Sequence, residues 1–152
     1  LGIHERGTGY GGAKAGVIGL TLTLAAEARF HGVAVNGFAP RISTRLSAPE
    51  VMAHVHDRPV EDFQHAMAAF PVELSSPTAL FLAHESCKLN GVLLAAGGGL
   101  VMRMSIMENT GFKSDDMSME NIAANIDTII DISTTVLFGI VATPLMPEKN
   151  SS

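Results

Sequence analysis

The sequence predicts an α/β fold built around a parallel sheet, and three observations carry that expectation. The stretch "VIGLTLTLAAEARF" at 17–30 repeats apolar residues at helical spacing. Two short runs, "VAVNGFA" at 33–39 and "NGVLLAA" at 90–96, are apolar almost throughout, as strands buried on both faces are. A further helical segment, "SPTALFLAHES" at 76–86, lies between them, and strand–helix–strand alternation favours parallel pairing.

Composition fits one folded unit. The 152 residues are 47% hydrophobic and 16% charged, with a mean hydropathy of +0.28, so the chain can bury a core and lacks the charge density of a disordered one. A net charge of −5 argues against a nucleic-acid surface. The single Cys87 excludes an internal disulfide and fits a reducing, cytoplasmic setting. No apolar run reaches the roughly 18 residues of a membrane span, and "LGIHERGTG" lacks the apolar core of a signal peptide. The chain begins with leucine, which leads us to expect a piece of something longer.

The elements follow in order. A first helix is expected over about 10–30, with Val17, Leu20, Leu24 and Ala28 near one stripe and Gly32 as its C′ residue. The strand at 33–39 should stop at Pro40. Ser47 and Glu50 form a capping box for the next helix, which should break near Pro59. A short helix over about 60–69 ends before Pro71, and Ser76-Pro77 opens a helix apolar enough to be buried. The run at 90–96 should close at Gly97, Gly98 and Gly99. Residues 1–104 then form one domain and 105–152 a mostly helical extension. In that extension Ser118 caps a helix over about 119–131, and "PEKNSS" is a disordered tail.

The chemistry concentrates in "YGGAKAG" at 10–16. Tyr10 and Lys14 are four apart, so on a helix they share a face. A phenol ordinarily titrates near pH 10. A cation about 4 Å away, at an effective dielectric of 20, lowers that by up to roughly 3 units. A tyrosine with a lysine one turn away is therefore a candidate acid–base near neutrality, although chance alone places such pairs on many solvated helices. The glycines around the pair would let another backbone or a bulky cofactor come close. Other candidates are weaker. His54 and His56 are two apart and do not share a helical face, so no metal site is expected. Cys87 reads as a packing residue, and methionines near 102–107 are candidates for an acyl pocket.

The stretch "YGGAKAGVIGLTLTLAAEARFHGVAVNGFAP" resembles the core of the short-chain dehydrogenase/reductase family. The matching residues are Tyr10, Lys14, Leu24, Ala25, Glu27, Gly32, Val35, Asn36 and Pro40. Downstream, "SSPTALFLAHES" and "LNGVLLAAGGG" resemble the family's last helix and strand. Within the family, "APRISTRL" and "VMRM" look most like the dehydrogenase domains of peroxisomal multifunctional enzymes and their bacterial relatives, as does the segment at 105–129.

The resemblance implies the C-terminal part of a doubly wound, Rossmann-like parallel sheet and NAD or NADP as cofactor. It further implies interconversion of a hydroxyl and a ketone, with a 3-hydroxyacyl thioester as the expected substrate. By the same resemblance Tyr10 moves the hydroxyl proton, while Lys14 activates it and binds the nicotinamide ribose. Pro40, Ile42 and Thr44 belong to the loop that holds the nicotinamide carboxamide, and the helix at 10–30 would join two copies in a homo-oligomer. Two departures stand out: Arg41 occupies the place of the family's usual glycine, and the threonine comes one residue early. The family's phosphate-binding glycine motif, catalytic serine and asparagine have no counterpart in the sequence. The alternative is therefore a truncated, inactive half-domain serving at most as an interaction or assembly module. Taken alone, such a chain is expected to be self-associated, partly unfolded or insoluble, without measurable NADH or NADPH binding.

Overall fold

A computed structural model describes residues 7–137. They fall into two compact units, 7–104 and 105–137. The sequence expectation for the tail at 147–152 lies outside the described residues.

The first unit begins with helix α1, Thr8–Ala28, followed by a 3₁₀ turn, Arg29–His31. Gly32 ends it with φ 69°, in the left-handed region where glycine carries no steric penalty. The glycine-rich stretch at 8–12 lies inside this helix. The chain then enters strand β1, Gly37–Pro40, which pairs in parallel with β2, Leu93–Gly97. The parallel pairing is as the sequence predicts, but β1 is shorter than 33–39.

Residues 35 and 36 are held by side chains and by one backbone bond, from the Gly91 amide to the Val35 carbonyl at 2.8 Å. Asn90 accepts from the Val35 amide at 2.9 Å and donates to the Ala25 carbonyl at 3.1 Å. Asn36 reciprocates, donating to the Leu89 carbonyl at 2.8 Å and accepting from the Val92 amide at 3.1 Å. Asn90 is only 2% exposed, so these bonds satisfy an amide that would otherwise be costly to bury. The two asparagines also fix the register at which β1 and β2 begin.

The strand stops at Pro40 as predicted, with Pro40 as its last residue. The Gly37 amide donates to Val92 and the Arg41 amide to Ala96, at 2.8 and 2.7 Å. Pro40, of opposite parity, has no donor to lose on that side.

The sheet is not all parallel. Gly98 and Gly99, with φ 59° and 79°, make a two-residue turn into β3, Leu100–Met104, antiparallel to β2. Two successive positive φ values match the twist of a tight hairpin, and glycine adopts both. The three glycines therefore end one strand and start another. The sheet order is β1-β2-β3. Its core is small: Ala25, Val92, Leu93, Ala95 and Ala96 are the buried apolar residues.

Two local expectations are corrected. Ser47 does not cap helix α2, Pro49–His56, whose N-cap is Ala48. The Ser47 hydroxyl instead accepts from the Thr44 amide at 2.7 Å, closing the 3₁₀ turn Arg45–Ser47. Helix α3, Glu61–Ala68, follows as expected. Helix α4, Ser76–Ala83, opens at Ser76-Pro77 as predicted, and the buried hydroxyl of its N-cap, Ser75, donates to the Ala96 carbonyl at 2.9 Å. And α4 is not buried: Thr78 is its one buried residue, while Leu80 and Phe81 are exposed. The same holds for α1. It packs on the sheet through Thr21 and Ala25, and leaves Val17, Leu20 and Leu24 outside.

The second unit holds β4, Met107–Glu108, antiparallel to β5, Val136–Leu137, with α5, Met119–Ala124, and α6, Ile126–Ile130, between them. Ser118 caps α5 as predicted, accepting from the Asn121 amide at 3.1 Å. The expected single helix is interrupted at Asn125, which lies outside helical geometry at φ −113°, ψ 16°. The Asp131 carboxylate accepts from the Ser133 amide at 2.9 Å and its hydroxyl at 2.7 Å. Both bonds hold its pKa below the ordinary aspartate value. A carboxyl depressed in the folded state stabilises above its unfolded pKa, and that contribution fades as pH falls through the lowered value. Ser133→Ala removes the hydroxyl bond and is expected to move the Asp131 carboxyl midpoint upward in an NMR titration. An unmoved midpoint would show that the hydroxyl contributes nothing.

Candidate active site

The site starts from the first turns of α1. The Gly11 amide donates to the Gly7 carbonyl at 2.7 Å, so the helix is already wound where Tyr10 sits. One turn on, the Lys14 Nζ lies 5.5 Å from the Tyr10 ring centroid. The two side chains thus share a face, and the ammonium stands over the ring in cation–π range. Tyr10 is 56% exposed, so its hydroxyl is open to a ligand.

The face bearing this pair borders a cavity of about 470 Å³. Its other walls are Pro40 and Arg41 from the end of β1, Leu93 from β2 and Met104 from β3. The sheet places them there. Gly37 faces Thr21 of α1: a Cβ there would lie 3.5 Å from the Thr21 methyl. Residues of the same parity, Ala39 and Arg41, therefore belong to the α1 face of the strand. Arg41 reaches this place because Gly97 has no side chain: a Cβ there would strike the Arg41 carbonyl oxygen and lie 2.6 Å from its Cβ.

Among the described residues the cavity carries two cations, Lys14 and Arg41, and no carboxylate. Arg58–Asp62, at 2.8 Å, is the ion pair found among the described residues, so no described carboxylate pairs with either cation. This is a local excess of positive charge on a chain whose net charge is −5.

The structure brings together Tyr10, Lys14 and Pro40. Ile42 lines a separate cavity of about 330 Å³ with Phe38, Val72 and Leu80. Thr44 is engaged in its own turn, its hydroxyl 3.3 Å from that of Ser47. Of the methionines near 102–107, Met104 borders the Tyr10 cavity. Sequence reasoning noted Arg41 only as a departure from a pattern, and missed Gly97 beneath it. The signal was available in the strand parity, since a residue two after Ala39 returns to the same face. The expected close approach to the helix glycines is absent among the described residues: Gly12, Gly16 and Gly19 face open space.

Chemically, a phenol and an ammonium on one wall can exchange a proton with a ligand hydroxyl and stabilise the oxygen left behind. The remaining wall is apolar and suits a carbon chain.

No family model matches the chain. Among curated proteins it is 29% identical over 133 residues to a short-chain type dehydrogenase/reductase of Mycobacterium tuberculosis, covering 87% of this chain and 43% of that protein. It is 30% identical over 128 residues to peroxisomal multifunctional enzyme type 2 of Mus musculus, covering 82% of this chain and 16% of that protein. It is also 30% identical over 95 residues to a (3R)-3-hydroxyacyl-CoA dehydrogenase of Homo sapiens, covering 62% and 36%. The chain thus spans less than half the length of these relatives. In fold it matches the full-length peroxisomal multifunctional enzyme type 2 of Drosophila melanogaster with a TM-score of 0.63 at 22% identity, covering 88% of this chain and 23% of that one. The sequence relatives and the fold neighbour agree: the chain is related to the short-chain dehydrogenases/reductases, a family of oxidoreductase enzymes.

Proposed function

We propose that this chain is the C-terminal part of a doubly wound short-chain dehydrogenase/reductase domain that interconverts a hydroxyl and a ketone. The observation that carries the reading is the placement of Tyr10, Lys14 and Pro40 on one cavity. A 3-hydroxyacyl thioester is the substrate suggested by the names of the relatives. Its acyl chain finds an apolar wall in Val17, Leu93 and Met104.

The Lys14 ammonium, a donor beside the backbone at Pro40–Ile42, suits the nicotinamide end of NAD or NADP. Bound there, a nicotinamide supplies hydride transfer. In that setting Tyr10 holds the proton of the reacting hydroxyl at its phenolic oxygen, and Lys14 stabilises the phenolate left when that proton moves. Pro40 keeps the loop start rigid, with Ile42 and Thr44 continuing it. A cytoplasmic setting is our reading from the single cysteine, and association of two copies along α1 is our reading of its exposed stripe.

A second reading has its own support. Tyr10, Val17, Leu20 and Leu24 on α1, and Leu80 and Phe81 on α4, are all exposed. Exposed apolar area forgoes about 25 cal/mol per Å², and a domain has only about 5–15 kcal/mol in hand. A half-domain that works by assembly would cover these faces with a partner. The isolated 152-residue chain is therefore expected to self-associate in sedimentation and to leave NADH and NADPH fluorescence unchanged. A soluble monomer with micromolar NADH affinity would overturn the half-domain reading, and would mean that this chain alone builds the cofactor site. The enzyme reading is tested by the Tyr10 substitution below.

A further inference from the structure

We propose that Arg41 makes the Tyr10 cavity selective for ligands that carry an anionic group, carboxylate or phosphate, on an apolar body. The inference deepens the reading of this cavity as a ligand site and rests on it. Arg41 is held in place at the backbone, by its amide bond to the Ala96 carbonyl at 2.7 Å and by the absence of a side chain at Gly97. Strand parity puts it on the α1 face with Lys14, and both line the cavity. No carboxylate lines that cavity, and no ion pair involving Arg41 or Lys14 is found among the described residues.

A guanidinium is a planar fork of donors that matches a carboxylate or phosphate through two parallel bonds, and such charge-assisted bonds are the strong ones. A neutral ligand would leave both cations lining the cavity without a counter-charge from the described residues. An anion supplies that counter-charge, and the ammonium of Lys14 adds to the attraction. The rest of the lining, Val17, Ile18, Leu93 and Met104, takes carbon, not charge. The favoured ligand is therefore an amphiphile with its head at Arg41.

Equilibrium dialysis of the 152-residue chain against octanoate, octyl phosphate and octanol tests this, and works on a self-associated protein. The wild-type chain is expected to retain the two anions above octanol, and the anion held more tightly identifies the head group. Arg41→Gln is expected to cut anion retention about tenfold while leaving octanol alone. Arg41→Lys should restore part of it. Arg103→Gln, a charge change of the same size at an exposed β3 position of opposite parity to Met104, should change nothing. Equal anion retention by wild type and Arg41→Gln, an equal loss from Arg103→Gln, or no retention by the wild type would each overturn the proposal. Tyr10→Phe keeps the anion site, so full turnover in that variant would end the catalytic reading without touching the Arg41 result.

Discussion

Tyr10→Phe is expected to lower hydroxyacyl-CoA oxidation by at least about 100-fold in a chimera that joins this chain to the dinucleotide-binding half of a short-chain dehydrogenase/reductase. General acid–base groups contribute about 10²–10⁴-fold, and the substitution removes the one hydroxyl that Tyr10 brings to the cavity. The ring stays, so the contact with Lys14, whose Nζ lies 5.5 Å from the ring centroid, is preserved. Nicotinamide binding should therefore be nearly unchanged, and the loss should fall on kcat. Lys14→Ala behaves differently. It removes the ammonium over the ring and a donor on the cavity wall, so both turnover and nicotinamide binding should suffer. The two profiles separate proton transfer from ligand holding. Near-normal turnover in Tyr10→Phe would remove Tyr10 from the chemistry and the reaction assignment with it.

The meeting of Tyr10 and Lys14 on one face was legible because it depends only on helical spacing. Tyr10 and Lys14 meet on any α-helix, and α1 is set by the run of good helix formers and apolar residues that follows them. The parallel pairing of β1 with β2 was legible for a similar reason, since both strands are apolar on both faces. What stayed hidden depends on contacts distant in sequence. Asn36 and Asn90 tie the entry of β1 to that of β2 with side-chain bonds, and no local pattern announces that two amides 54 residues apart will each bind the other's stretch of backbone. Ser47 and Thr44 read as a helix cap and a cofactor contact, yet they satisfy each other first because their turn closes locally. The burial expected of α4 failed for a different reason. Hydrophobic periodicity reports which face can be covered, whereas coverage itself depends on what lies against it, and here three strands reach only Thr21, Ala25 and Thr78.

Gly97→Ala is expected to displace the Arg41 backbone and with it one wall of the Tyr10 cavity. The Cβ would overlap the Arg41 carbonyl oxygen and sit 2.6 Å from the Arg41 Cβ and 2.8 Å from its carbonyl carbon. These are backbone and near-backbone atoms, so no rotamer change relieves the clash. Overpacking a core commonly costs about 1–3 kcal/mol when side chains can adjust. Here the strand end itself must move, and the upper end of that range is expected. The movement breaks the bond from the Arg41 amide to the Ala96 carbonyl, which is the last rung tying β1 to β2. The observable is hydrogen exchange at the Arg41 amide. A loss of about 3 kcal/mol of protection accelerates its exchange by roughly a hundredfold. The amides of Val35, bonded to Asn90, and Val92, bonded to Asn36, lie at the other end of the strands and should hold steady by comparison. Gly99→Ala supplies the control: its Cβ meets open space, so its cost comes from its positive φ of 79° and stays in the hairpin. If Gly97→Ala leaves the Arg41 amide as protected as before, the two backbones are not in the contact described. Arg41 would then owe its place in the cavity to something other than the missing side chain at Gly97.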